Sequence, residues 1–317
     1  MYNLVAFIKI CLVCHHPGAA THFSEFAKVF EENAIPYELY TDHKDLDELA
    51  ANSNHFSAVI VDIAPQSEKV LELFQTLGKK TYVYYDNPEE FVPGGYSETA
   101  NKIRALADKT LFANANLATE ERDIGIGYSP VLNDVLEIRK MRETSDRAAF
   151  LNAHGIKDTG QKIIVYFGGA NETYYDQAFP HFLDLLKEWD FSNTVLIHQQ
   201  HPRALKEGNR DGNLLPQIVL SKVNNKEALA IANVALYYQT SMSPLFYLSG
   251  VPTFQVGHES YPDVLIRTGL CQSITKHSEI SQILSPPQTT IDEQKISAEI
   301  GYKENWRDIL LEEILNQ

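Results

Sequence analysis

The sequence predicts an α/β protein made of two doubly wound parallel sheets in tandem, the two domains facing a cleft. Three observations carry that prediction. Short apolar runs of strand length alternate with longer stretches of helical period from one end of the chain to the other. Those runs are apolar throughout rather than alternating, as strands covered by helices on both faces are. The chain has 317 residues, about two domains at roughly 150 residues each, and the pattern breaks and restarts near its middle.

Taken in order, the first half predicts strands over residues 8–14, 37–40, 58–62, 81–85 and 109–112. Helices are expected over 22–33, 46–51, 67–78 and 97–107, with Asn33 and Gly78 standing where helix C-caps belong. Residues 132–162 are charged, carry Arg139, Lys140, Arg142 and Arg147, and contain no strand-like run, so they read as a helical connection. A second series opens with a strand over 162–167. It continues with a helix over 174–188, strands at 194–198 and 217–220, a helix at 225–232, a strand at 234–238, a helix at 244–249 and a strand at 252–256. The tail over 293–316 reads as one helix with Trp306, Ile309, Leu310, Ile314 and Leu315 on a single stripe. The expected domains are residues 1–140 and 160–317, the second including a C-terminal helix that crosses back.

Charge and cysteine usage narrow the function. Lys and Arg number 27 against 42 Asp and Glu, a formal net charge of −15. A nucleic-acid duplex needs a positive field, so it is excluded as a partner, whereas one small anion held by local groups is not. The three cysteines, Cys11, Cys14 and Cys271, are too few for a disulfide framework and fit a reducing cytosol. Cys11 and Cys14 form a C-x-x-C inside an apolar run, where two buried strand residues are the expectation rather than zinc or redox chemistry. The same run is interrupted by Lys9 and falls short of the roughly 20 residues that cross a bilayer. No membrane span and a cytoplasmic location are expected.

Several loops follow strand ends, where ligands of doubly wound sheets sit. After the first strand comes His15-His16-Pro17-Gly18-Ala19-Ala20-Thr21-His22. Its small residues admit an anion or a sugar, and His16 and His22 are candidate general bases or hydrogen-bond donors. No carboxylate stands at metal spacing, so no metal is expected. Asp86, after the fourth strand, is a candidate base. In the second half, Gly168, Gly169 and Asn171 form a glycine loop that opens a helix and suits a phosphate. His201 and Arg203 end the next strand as phosphate donors, and Thr240, Ser241 and Ser243 combine capping with anion binding.

Gly168-Gly169-Ala170-Asn171, His201-Pro202-Arg203 and Thr240-Ser241-Met242-Ser243 followed by Leu248-Ser249-Gly250-Val251-Pro252 come in one order. Together they resemble a glycosyltransferase of the GT-B type, with two Rossmann-like domains. His201-Pro202 is similar to the His-Pro motif of polysialyl-, capsule and teichoic acid transferases. Phe167-Gly168-Gly169 is similar to the nucleotide-sugar hydrolase of pseudaminic acid synthesis. His22 sits where the acceptor-domain loop of MurG-type enzymes carries its histidine. The resemblance implies glycosyl or phosphoryl-alditol transfer, with the nucleotide-activated donor on the second domain and a sugar or glycoconjugate acceptor on the first. It implies no tightly bound metal and no cofactor, with hydrolase, epimerase or non-catalytic nucleotide-sugar binding as alternatives on the same scaffold. Many GT-B enzymes hold the donor ribose with a Glu five residues before the Gly of Gly-x-Pro, and here that place is Leu245. A ribose held by Glu259 or Asp263, a different nucleotide, and a lost activity are the alternatives this departure leaves. The acidic balance favours a soluble acceptor, or docking to another protein, over an anionic membrane.

Overall fold

In the computed structural model, which describes residues 8–41, 46–89, 96–169, 171–202, 204, 215–287 and 290–316, the apolar run after Lys9 forms β1 (Ile10–Val13), buried along its length. The chain divides into two units, Met1–Pro130 with Ser297–Gln317, and Val131–Ile296.

In the first unit β1 is followed by α1 (Pro17–Glu32), β2 (Tyr37–Tyr40), α2 (Leu46–Asn52), β3 (Ala58–Asp62), α3 (Ser67–Thr76), β4 (Lys80–Tyr85), α4 (Tyr96–Leu106), β5 (Lys109–Phe112) and β6 (Asp123–Gly125). The strands form a six-stranded parallel sheet in the order β2-β1-β3-β4-β5-β6. Because side chains alternate across a strand, each run of apolar residues supplies two cores at once. Leu12, Ile60, Tyr82 and Tyr84 pack with Phe23, Phe26 and Phe30 of α1 on one face. Cys11, Val13, Val59 and Val83 pack with Leu71 and Phe74 of α3 and Ile103 of α4 on the other.

The second unit takes most of α5 (Pro130–Thr144) and runs through α6 (Arg147–Ala153), β7 (Lys162–Phe167), α7 (Phe179–Leu185), β8 (Thr194–Gln199), β9 (Ile218–Leu220), α8 (Asn225–Ile231) and β10 (Val234–Tyr237). It continues with α9 (Ser243–Leu248), β11 (Thr253–Val256), α10 (Val264–Arg267), β12 (Gln272–Ile274) and α11 (Ile280–Leu284). Its sheet is again six-stranded and parallel, ordered β12-β11-β10-β7-β8-β9. Helix α12 (Glu293–Glu299) carries the chain back to the first unit, where α13 (Trp306–Leu315) adds Trp306, Leu310 and Ile314 to the α1 face of the core.

Several expectations are corrected. Helix α1 begins at Pro17, not at residue 22: Pro17 occupies its first turn and His16 before it is extended, the pairing a proline at N1 imposes. The single C-terminal helix is two, separated at Gly301, whose φ of +60° an L side chain rarely adopts. Strands β6 and β12 were not expected. The basic connection is α5 and α6, and its arginines are engaged within the second unit. Arg142 donates to the carbonyls of Leu229 (3.2 Å) and Ala232 (3.0 Å) at the end of α8, and Arg139 to Leu248 at the end of α9.

Candidate functional site

Both sheets change winding direction beside their first strand. In the first unit the switch lies between β1 and β3, and in the second between β7 and β10. Ligands of open α/β sheets bind outside the carboxyl ends of the strands at such points. Each switch point holds a polar cluster.

At the first, Asp62 ends β3 with its side chain fully buried and reaches the loop after β1. Its Oδ2 accepts the backbone N–H groups of His15 (2.8 Å) and His16 (2.7 Å), and its Oδ1 lies 3.0 Å from His15 Nδ1. Ser67 Oγ donates to the Asp62 carbonyl at 2.8 Å and lies 3.2 Å from Oδ1. A buried carboxylate persists when it is hydrogen-bonded in this way, and here it fixes the backbone of the histidine loop. Across the loop, the Asp86 carboxylate lies against Gly18 in the first turn of α1, so close that a Cβ on Gly18 would sit 3.5 Å from Oδ2. The positive end of a helix stabilises negative charge there. His16 is exposed and Asp86 half-buried.

His22 is elsewhere. Because α1 starts early, His22 lies in its second turn and faces the core, 5% exposed, with Nδ1 2.6 Å from Tyr84 Oη and Tyr128 edge-on to its ring. Burial pushes the imidazole down to about 3 and the Tyr84 hydroxyl well above its ordinary range. His22 is neutral and shielded at neutral pH, so its surroundings suit packing rather than proton uptake. The C-x-x-C thiols are buried as well. Burial pushes Cys14 up to about 12 and Cys11 still further, and the two side chains enter opposite cores. Among the described residues no group of three His, Cys, Asp or Glu side chains is arranged to hold a metal ion, and no helix is long and apolar enough to cross a membrane.

The second switch point brings together three loops distant in sequence. Asn171, after β7, donates from Nδ2 to Gln239 Oε1 after β10 at 2.8 Å, and its Oδ1 accepts the N–H of Tyr174 at 2.8 Å. The Gly168 N–H donates to the Gln199 carbonyl at the end of β8, so the hydrogen-bond donors of the glycine loop begin at Gly169. The glycines have a packing reason of their own: a Cβ on Gly168 would meet Tyr174 Oη at 2.8 Å and one on Gly169 the Tyr174 ring at 2.8 Å. A π-helical turn, Tyr174–Ala178, follows and passes into α7 at Pro180, which has no N–H to give.

Thr240 Oγ1 accepts the N–H of Met242 at 3.2 Å, Ser241 is exposed, and Ser243 is buried with no hydrogen-bond partner for its Oγ among the described residues. His201 is exposed after β8. Arg203 lies outside the described residues. On the next strand out, Gln255 clamps the following loop by accepting the N–H of Tyr261 (2.6 Å) and donating to its carbonyl (2.7 Å). Glu259 in that loop is exposed, whereas Asp263 is buried and committed to capping α10 through the N–H groups of Leu265 and Ile266. Leu245 is buried in α9.

The sequence-predicted residues thus gather as His16 with Asp86 on one unit, and Gly168, Gly169, Asn171, His201, Thr240 and Ser241 on the other, with His22 and Ser243 buried behind these edges. Asp62 and Gln239 were missed. A lone acid at a strand end and an amide after one carry no spacing pattern. The signal was their place at the carboxyl ends of strands beside the first of each sheet.

Two six-stranded parallel sheets, each doubly wound in its own unit, define a GT-B-like two-domain fold. No protein-family model and no curated protein sequence matches the chain. Solved structures do. The UDP-GlcNAc 2-epimerase of Neisseria meningitidis, bound to UDP-GlcNAc, is similar with a TM-score of 0.65 and 11% identity, covering 98% of this chain and 100% of that one. The UDP-GlcNAc 2-epimerase of Methanocaldococcus jannaschii, in complex with UDP-GlcNAc and UDP, gives 0.61 and 12% over 92% of this chain and 98% of that one. The wall teichoic acid polymerase TagF gives 0.52 and 14% over 96% of this chain and 87% of that one. Identities this low speak for a shared fold.

Proposed function

We propose that the chain is a nucleotide-sugar enzyme that moves a glycosyl group from a nucleotide-activated donor, held on the second unit, to a soluble sugar or glycoconjugate acceptor, without a tightly bound metal. The observation that carries this reading is the convergence of three polar loops at the β7–β10 switch point, tied by the Asn171–Gln239 hydrogen bond. The structural likeness to proteins solved with UDP-GlcNAc supports a nucleotide sugar as the ligand. As the bond from sugar to diphosphate breaks, negative charge grows on the departing phosphate. The Gly169 N–H, His201, the hydroxyls of Thr240 and Ser241, and Arg203 are the donors that would neutralise it, in the role a metal otherwise fills. Glu259 takes the ribose, because Leu245 offers no acceptor and Asp263 is already spent on its helix cap. The acceptor hydroxyl loses its proton to His16 or Asp86 on the loop that Asp62 braces.

Epimerisation or hydrolysis of the nucleotide sugar is the second reading, favoured by the likeness to two UDP-GlcNAc 2-epimerases. Incubation with UDP-, CMP- and GDP-sugars in the absence of acceptor separates the two. Transfer predicts slow turnover until an acceptor is added, and rapid release of free sugar or epimer would sink it. A thermal-shift panel of nucleotides tests both readings. One nucleotide is expected to raise the melting temperature, and His201→Ala to weaken it about tenfold, the worth of one charge-assisted hydrogen bond. No shift with any nucleotide, and no effect of His201→Ala, would leave a scaffold without that ligand.

A further inference from the structure

The first unit contains a cavity of about 460 Å³ that neither switch-point cluster uses. It lies where β4 and β5 end, under α4 and the turn after β5. Its volume falls within the range of small-molecule sites, about 300–1,000 Å³. Tyr85, Phe112 and Leu117 give it an apolar side, and Asn101, Arg104 and Glu120 a polar one.

These polar groups have hydrogen-bonding capacity to spare. The Arg104 guanidinium stacks 4.7 Å over the Phe112 ring, and directs Nε toward Thr110 Oγ1 and Nη2 toward Asp123 Oδ1, each at 3.5 Å. Among the described residues its Nη1 has no hydrogen-bond partner, and neither does the Asn101 side chain. Glu120 accepts from Arg122 through Oε2 at 3.0 Å and keeps Oε1. The Arg104 Nη1 group, an amide that both donates and accepts, and a carboxylate oxygen therefore line the cavity together.

The charges cancel. Arg104 is offset by the buried Asp123 and Glu120 by Arg122, so the cavity has no surplus positive charge with which to hold a phosphate or a carboxylate. An uncharged ligand rich in hydroxyls suits it. Vicinal hydroxyls match the amide, the remaining guanidinium nitrogen and the carboxylate oxygen, and the C–H face of a sugar ring can lie against the half-buried Leu117. We propose that this cavity binds an uncharged saccharide unit and is the acceptor subsite of the reaction proposed above, on which that assignment of role rests. It begins one residue before Asp86, on the same sheet edge as the histidine loop.

The test is direct binding to the full chain without nucleotide, followed by NMR or calorimetry. The probes are N-acetylglucosamine, maltose and methyl galactoside, with glucuronate and inorganic phosphate as charged comparators. At least one neutral sugar is expected to bind, and Arg104→Met and Asn101→Leu to weaken it about tenfold each, one hydrogen bond's worth. Asn101→Trp, at an exposed helix position away from Asp123, is expected to abolish binding by filling the cavity while leaving the fold intact. Absence of binding by all three neutral sugars, or binding that survives Asn101→Trp, overturns the proposal. So does tighter binding of glucuronate or phosphate than of any neutral sugar. Nucleotide binding is read separately in the second unit: sugar binding without nucleotide binding would leave the saccharide site standing and remove the transferase reading, and the converse would do the reverse.

Discussion

His22 shows how a residue chosen for chemistry can be held by packing. The residue is 5% exposed, its ring against those of Tyr84 and Tyr128, and burial lowers its pKa from 6.5 to about 3. The sign of the consequence follows from proton binding in the two states. Above the ordinary histidine range both folded and unfolded chains keep the imidazole neutral, and the group contributes no pH dependence. Below it, the unfolded chain takes up a proton that the folded chain refuses, so stability falls as pH falls, by about 1.4 kcal/mol per pH unit, until the folded pKa is reached. His22→Gln, which keeps a partner for Tyr84 but does not titrate, is expected to remove that slope. Urea midpoints of both proteins across the interval from about pH 6.5 to pH 5 check it, with a difference of roughly 2 kcal/mol in their pH dependence. Parallel curves would show that the imidazole is protonated in the folded state after all.

At the scale of elements, α5 explains where the basic residues go. A cluster that reads in the sequence as a charged helical connection also closes two helix ends: Arg142 serves the orphan carbonyls of α8 and Arg139 that of α9, while Lys226 of α8 pairs back to Asp134 and Glu137. Arg142 is half-buried and burial lowers its pKa, so the cost of desolvation is met by those carbonyls. Arg142→Met is expected to destabilise the second unit by about 2–3 kcal/mol, because buried carbonyls lose a charged donor. Arg122→Met, whose side chain pairs on the surface with Glu120 and reaches one carbonyl, should cost less. Equal costs in urea unfolding would refute the clasp. The same scale shows what could be read in advance. Strands β1, β3, β4, β7, β8 and β10 lie inside their sheets, need apolar residues on both faces, and so stand out as apolar runs. Strands β6 (Asp-Ile-Gly) and β12 (Gln-Ser-Ile) are edges of three residues, buried on fewer sides, and leave no such run. The loops at both switch points were legible because small and polar residues follow apolar ones. Asp62 was not, because its partners are mainly backbone N–H groups, which a sequence does not display.

For the whole molecule, the division into units makes the tryptophans useful. The chain has two, and each is in a different core: Trp189 packs with the helices against the second sheet, and Trp306 of α13 packs with Phe26 and Tyr128 in the first unit. The first unit is discontinuous, since it needs α13 to bury one face of its sheet, while the second is built from the single stretch Val131–Ile296. Trp189→Phe and Trp306→Phe therefore yield two proteins, each with one fluorophore reporting one unit. A ligand that binds only the folded form stabilises the unit that holds it, by about 2.7 kcal/mol at a hundred times its Kd. Nucleotide is expected to raise the unfolding midpoint seen by Trp189 and leave that seen by Trp306 behind. A neutral sugar filling the Arg104 cavity is expected to act in the opposite sense. If both fluorophores shift together with either ligand, the two units unfold as one cooperative body. If nucleotide moves the Trp306 transition alone, the donor lies on the first unit and the roles given to the two switch points exchange.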